Sequence, residues 1–426
     1  MIKKIFKKKE TRNRILATLL ILAIYRLGST VPIPNADTAA LQTLRANSML
    51  AMMNLFSGGA LEKMSVFAMG VSPYITASII VQLLSMDVIP SWTEWSKDGQ
   101  KGRRKLEKAT RYMSLVLALV EAFSLTYTFN KQYGVLPDGK ITTYIFTIFI
   151  LTAGTMILTW LGDQISDKGI GNGMSMIIFA GIVSGLPASF SQAWSTFTGG
   201  TGKGSMFNGV MEFVIYIILY LALIILVVIV ETAERKIPIQ YTRGQSVFGA
   251  QPSSFLPVKV NSASVIPVIF AQSVITAPQI IISFFNYKLY QKLANMFSLT
   301  SWLGLAVYAA LIILFSFFYT DMELDADEIA KNLRKSDAYI PGVRAGEDTK
   351  AYLSKVIHRI TCIGSVLLMG IAILPYLLTK FTPLTASDAL GGTGIILIVG
   401  IALETIGQLR SMTESVDYHS TKLFAK

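Results

Sequence analysis

Ten apolar runs recur along this chain, each long enough or nearly long enough to cross a lipid bilayer, and this repetition narrows the possible folds more than any single motif. A helix needs roughly 20 apolar residues to cross hydrocarbon. Backbone polar groups at that depth must be satisfied within the protein, which leaves helical bundles and closed barrels. Runs of this length select helices. They lie near Ile15–Thr30, Pro73–Ile89, Tyr112–Phe129, Tyr144–Ile165, Gly171–Leu186, Val210–Val230, Val265–Phe285, Trp302–Thr320, Ile360–Leu378 and Gly392–Leu409. Mean hydropathy is +0.52 and only 15% of the 426 residues are charged, against about a quarter in soluble domains. The expected fold class is all-α: a polytopic membrane protein with ten transmembrane helices.

The net charge of +12 could point to nucleic acid, but the basic residues follow the loops rather than one binding face, and no specific DNA partner is expected. With ten spans the N-terminus, alternate loops and the C-terminus share one side. That side collects most of the 38 lysines and arginines, including the N-terminal run up to Arg14 and the Lys97–Arg111 loop. The other side holds Arg45, Lys131, Lys140, Lys203, Lys288, Lys292 and Lys380. By the positive-inside rule both termini are cytoplasmic. The N-terminal basic stretch and the apolar run Ile15–Ile24 resemble a signal peptide, but Tyr25-Arg26 follow without a small-residue cleavage site, so the segment reads as a retained first span.

The second apolar region is interrupted. In Asn54–Leu84, Gly58-Gly59 and Glu62-Lys63 break the first half, and Gly70 with Ser72-Pro73 separates it from the second. Irregular backbone at membrane depth is tolerated where protein or a water-filled cavity receives its polar groups, so a broken span marks a pathway. Ten spans divide as five plus five, and an odd number in each half inverts one half relative to the other. The second span of each half begins on a proline, in VSPYITASIIVQ (Val71–Gln82) and VIPVIFAQSVIT (Val265–Thr276). The pathway is therefore expected between the halves.

Enzyme chemistry is nearly absent from the pattern. His358 and His419 stand apart from any carboxylate or cysteine cluster at metal spacing, so no catalytic residue, metal or cofactor is expected. GGTGKGS (Gly199–Ser205) fails as a phosphate loop because Gly204 follows Lys203, and GIGNG (Gly169–Gly173) lacks the dinucleotide spacing. Cys362 lies within span 9 and reads as a small core residue. Glu121, Glu212, Glu231 and Glu404 read as solvated or ion-paired groups rather than a proton relay, and Arg26 as snorkelling to the outer interface. Ile75 and Ile79, like Met174 and Ile178, share a helical face; read from the residues alone, such pairs are ordinary core or lipid-facing positions. Two loops, Glu231–Ala263 and Asp321–Arg359, are too long for simple connections and read as a docking platform.

Several motifs in order make the chain resemble the SecY family of protein-conducting channels: NLFSGGALEKMSVFAMGVSPYITASIIVQLL, GRRKLEKATRY, GIGNGMSMIIFAGI, AERKIPIQYTR, LPVKVNSASVIP, YIPGVRAGEDTKAYL and GGTGIIL. The likeness fades after Glu404. The resemblance implies two inverted five-helix halves around a central pore with a re-entrant plug helix. The organisation expected is a basic N-terminus (1–14), an N-terminal half (15–190) with its plug (55–68), an outer linker (191–209), a C-terminal half (210–409) with cytoplasmic loops 231–263 and 321–359, and a tail (410–426).

By the same resemblance, the pore ring falls on Ile75, Ile79, Met174, Ile178, Ile269 and Leu397. The plug includes Leu55, Phe56, Ser57, Gly58, Gly59, Ala60, Leu61, Met64, Val66 and Phe67. Gln82 and Gln272 are placed on a lateral gate between spans 2 and 3 and spans 7 and 8. Arg344 leads the docking contacts, with Arg235, Lys236 and Arg243 behind it. The implied function is passage of signal-bearing preproteins across a bacterial plasma membrane and release of apolar segments into membrane lipid. The implied partners are SecE, SecG, the SecA ATPase and the ribosome. An accessory paralogue with a narrow client set and a secondary transporter are the alternative readings.

Overall fold

The computed structural model of the chain describes residues 9–34, 36, 54, 57–86, 88–136, 140–198, 206–241, 254–285, 296, 299, 301–381 and 392–423. Among the described residues the elements run α1 (Lys9–Gly28), α2 (Ser72–Leu84), α3 (Pro90–Lys97), α4 (Gly99–Tyr133), α5 (Ile141–Lys168), α6 (Gly173–Thr198), α7 (Met206–Thr232), β1 (Glu234–Tyr241), β2 (Ser254–Lys259), α8 (Ile266–Phe285), α9 (Trp302–Glu323), α10 (Ala326–Lys335), β3 (Ala338–Tyr339), α11 (Glu347–Phe381) and α12 (Gly392–Leu423). Seven of them, α4 to α7, α9, α11 and α12, contain a stretch long and apolar enough to cross a membrane. With α1, α2 and α8 they account for all ten apolar runs.

Local chemistry sets several boundaries. Pro73 and Pro90 sit in the first turns of α2 and α3, where a missing N–H breaks no helical bond. Gly134, at φ 64°, closes α4, a left-handed position that suits glycine. Ser301 Oγ accepts from the Gly304 amide at 2.9 Å to begin α9. Asp325 Oδ1 accepts from the Asp327 amide at 2.8 Å to begin α10.

Four helices outrun their apolar cores. α4 starts at Gly99 rather than near Tyr112, and α11 at Glu347 rather than Ile360, because charged, helix-favouring residues continue the same helices beyond the hydrocarbon. α12 continues through the tail to Leu423. α6 passes Pro187 to reach Thr198, its extension held by edge-on ring contacts of Phe190 with Tyr220 (5.3 Å) and Trp194 with Phe213 (5.0 Å) on α7.

The helices pack as two groups. In the first, α4 lies between α2 and α5, α5 meets α6, and α1 rests on α5 and α6. In the second, α8 meets α9, α9 meets α11, and α12 packs on α11 and α7. The groups touch along two seams: α6 with α7 and α12 on one side, α8 with α2 and α4 on the other. One apolar core runs across both groups, from Leu158 and Ile178 in the first to Tyr308, Ile312 and Leu397 in the second.

The two long loops, expected without strands, fold together. β1 lies between β2 and β3, antiparallel to both, with Ile237 opposite Leu256 and Gln240 opposite Tyr339. Alternation buries Ile237 and Ile239 on one face of β1. They pack with Val258, Ala330, Ile340, Leu353 and Ile357 into a small separate core. Sheet, α10 and the first turns of α11 therefore form one compact platform on the basic face.

Candidate functional site

The six residues expected to form the ring come from four helices, α2, α6, α8 and α12, and all join the shared core. Ile79, Ile178 and Leu397 are buried within it, and Ile75, Met174 and Ile269 are half-buried against it. Their settings differ in one respect. A Cβ on Gly162 would meet the Met174 sulfur at 2.7 Å, so this side chain lies against α5. The GIGNG run explains the local geometry. Gly171 adopts φ 81°. A Cβ on Gly173 would lie 1.8 Å from the Gly162 carbonyl oxygen. Asn172 Oδ1 accepts from the Met174 amide at 3.1 Å as α6 begins. Its glycines serve a tight turn and close helix packing.

The segment before α2 is built to be held in place. Its described residues from Ser57 to Val71 follow one another as turns and one isolated bridge rather than a regular helix. The backbone accounts for this, since Gly58, Gly59, Met64 and Gly70 all have positive φ and no right-handed helix continues through such positions. Leu55 and Phe56 lie outside the described residues. Ala60, Leu61, Met64 and Phe67 are buried. Asn54 closes the first turns: its Nδ2 donates to Glu62 Oε2 at 3.2 Å, and its Oδ1 accepts from the Glu62 amide at 3.1 Å.

Three helices contact this segment. The Tyr25 hydroxyl of α1 donates to the Ser57 carbonyl at 3.1 Å, and the Arg26 guanidinium donates to the Gly58 carbonyl at 2.8 Å. The Tyr25 and Phe67 rings stack at 6.2 Å. Just beyond α1, the Ile33 amide donates to the Met64 carbonyl at 2.9 Å and the Val66 amide to the Val31 carbonyl at 3.1 Å, around a bridge between Pro32 and Ser65. A Cβ on Gly58 would meet Cα of Gly181 in α6 at 2.8 Å, and one on Gly154 in α5 would meet the Val66 carbonyl oxygen at 2.0 Å. Sequence reasoning named Gly58 but missed Tyr25, Gly154 and Gly181, and gave Arg26 a different role. Its guanidinium reaches a carbonyl of the neighbouring segment. The signal available in advance was the polar pair Tyr25-Arg26 at the end of an apolar run.

At the second seam Gln82 and Gln272 occupy different settings. The Tyr319 hydroxyl of α9 donates to Gln82 Oε1 of α2, a direct polar tie between the two groups. Gln272 is buried on α8, two residues from Phe270, whose ring meets Tyr319 edge-on at 4.8 Å. Tyr319 thus meets Gln82 across the seam and Phe270 within its own group, and the sequence reading did not name it.

On the platform, Arg344 is exposed at the turn after Ile340. Gly342, at φ 82°, shapes this turn, and Thr349 Oγ1 donates to the Arg344 carbonyl at 2.7 Å. Arg235 and Lys236 are exposed on β1, Lys236 pairing with Glu234 at 3.4 Å. Arg243 lies outside the described residues. Cys362 corrects the sequence reading. It is exposed on α11, beside outward-facing Ile363 and Val366, because its helical face turns away from the core.

Comparison with known proteins agrees with this architecture. A family profile described as SecY matches residues 65–406. The protein translocase subunit SecY of Bacillus licheniformis is 43% identical over 416 residues, covering 96% of each chain. Among solved structures, a SecY whose plug domain stabilises the closed state and maintains a membrane seal is 21% identical. It superposes with a TM-score of 0.63 over 94% of this chain and 92% of that one. Sec61 in a canine ribosome–channel complex gives 0.58 at 20% identity, over the same shares. The chain belongs to the SecY family.

Proposed function

We propose that this chain is the central subunit of a protein-conducting channel that passes unfolded, signal-bearing preproteins across a bacterial plasma membrane and releases apolar segments sideways into lipid. The carrying observation is the apolar core shared by both helix groups, in which α2, α6, α8 and α12 place the ring residues and the turn segment contributes Phe67 and Val71. Residues 55–68 would act as the plug, with 57–68 described as the turn segment. Ile75, Ile79, Met174, Ile178, Ile269 and Leu397 would line the constriction. Flexible aliphatic side chains fit around an extended chain of any sequence while a dewetted gap opposes ions, and they offer no polar bond that would select one client over another.

Sideways release follows from the seam between α2 and α8–α9. There the Tyr319–Gln82 hydrogen bond joins the groups without a covalent link, and the Phe270 ring holds Tyr319 in place from within the second group. A segment exposed there partitions by its hydropathy, each central Leu, Ile or Phe favouring insertion by about 0.3–0.6 kcal/mol and each charge opposing it by about 2.5–3.5 kcal/mol. The chain itself performs no covalent step. Its basic platform, with Arg344 foremost and Arg235 and Lys236 on β1, would receive SecA or the ribosome, since exposed cationic loops attract acidic protein surfaces and RNA phosphates; Arg243 would share this role by its place in the sequence. SecE and SecG would complete the complex, and both termini would be cytoplasmic.

The test is ATP-driven import of a signal-bearing preprotein into vesicles holding this chain with SecA, SecE and SecG. Import that depends on the chain and drops at least about tenfold in Arg344→Glu, a charge reversal at the leading contact, supports channel and docking loop together. A correctly assembled complex that imports nothing beside a working control channel sinks the reading.

A further inference from the structure

Two consecutive carbonyls of the turn segment, those of Ser57 and Gly58, point back to α1, where each meets its own donor: the buried Tyr25 hydroxyl and the exposed Arg26 guanidinium. Turns at membrane depth leave such carbonyls short of water, and the Ser57 carbonyl has besides Tyr25 a long turn bond from the Ala60 amide at 3.4 Å, so the side-chain donors help decide whether the conformation is tenable. We infer that Arg26 is a positioning residue that latches the plug shut, with Tyr25 as its buried companion.

The surrounding geometry makes α1 the anchor along the whole segment. At the first turn the contacts are Tyr25 and Arg26. At the last, the Phe67 ring covers Gly28, where a Cβ would meet the ring at 2.1 Å. Between them runs the bridged stretch from Val31 to Ile33. Of these ties, only the Arg26 bond combines a full charge with an exposed side chain. It is therefore the one that can be broken without first unpacking the core. The backbone bonds and ring contacts need the whole segment to move; the guanidinium needs only to swing outward. A charge-assisted bond to a carbonyl is the strongest single tie in the set, and its loss shifts the closed-to-open ratio by on the order of tenfold. Opening by a signal sequence must overcome this bond, so removing it lowers what the signal has to supply.

This inference rests on the channel reading above, and the test separates the two. Vesicles holding the assembled complex, parent or variant, are assayed for idle halide leak and for SecA-driven import of one preprotein with and without its signal. Arg26→Ala is expected to raise idle leak by about tenfold or more and to raise the ratio of signal-less to signal-bearing import. Arg26→Lys, which keeps a cationic donor, is expected to return both readouts toward the parent. Tyr25→Phe, which removes one hydroxyl and keeps the ring, is expected to leak less than Arg26→Ala but more than the parent. Tight, signal-dependent Arg26→Ala channels overturn the latch. So does a leak that Arg26→Lys shares in full, because charge and donor would then be irrelevant. If Arg26→Ala does not assemble, Tyr25→Phe channels as tight as the parent overturn it. A parent complex without import fails at the channel reading itself, and the latch falls with it.

Discussion

A methyl group on Gly154 would sit 2.0 Å from the Val66 carbonyl oxygen, and the rigid backbone on both sides leaves little room for relief. Gly154→Ala should therefore displace the turn segment, at a cost of about 1–3 kcal/mol typical of overpacking. The change should appear as faster protease cleavage near Val66 and a lowered melting temperature of the purified complex. Tyr319→Phe addresses the other seam. It deletes the donor to Gln82 while keeping the ring against Phe270, a loss of about 1 kcal/mol. Opening towards lipid should become easier, so a marginally apolar test segment should insert more often; an unchanged insertion fraction would count against a gate at this seam. Neither partner choice was readable in advance. Gln82 and Gln272 could be named from their motifs, but Tyr319 lies 237 positions from Gln82 in sequence, and nothing local in LFSFFYTD marks one aromatic residue above its neighbours.

The membrane helices are the elements most legible in the sequence, because in hydrocarbon an apolar run has almost no alternative to helix. The platform is the least legible. Pro238 and Pro257 both interrupt their strands' donor rows, a pattern that argues against strand. The pairing of β1 with β2 and β3 depends on burying Ile237 and Ile239 against residues brought from the next long loop. Leu353, fully buried in that small core, is the residue to probe. Leu353→Ala should cost about 2–5 kcal/mol in a unit with few other buried side chains. Binding of SecA or ribosomes should be lost, while the melting of the helical bundle, followed by tryptophan fluorescence, stays close to the parent. Loss of both together would mean that platform and bundle fold as one cooperative unit.

At the scale of the whole molecule, two helix groups meet along two seams of different character. On the α6–α7–α12 side the chain itself passes from one group to the other, and a ladder of aromatic contacts joins α6 to α7. The α8–α2–α4 side is non-covalent. Opening should therefore hinge on the first side and part on the second. A short bismaleimide joining cysteines placed at Gln82 and Tyr319, with Cys362 replaced by serine, should hold the channel shut and stop import. The same treatment of either single-cysteine chain should leave import running. Import through the doubly linked chain would rule out parting at this seam. Ten apolar helices and the interrupted segment were legible in the composition of successive runs, because transfer into lipid is decided locally, residue by residue. Which carbonyl Arg26 reaches, which aromatic ring ties the seam and how two distant loops share a sheet depend on contacts between residues far apart in the chain. Such contacts exist only once the helices have packed, and so they emerged from the folded molecule alone.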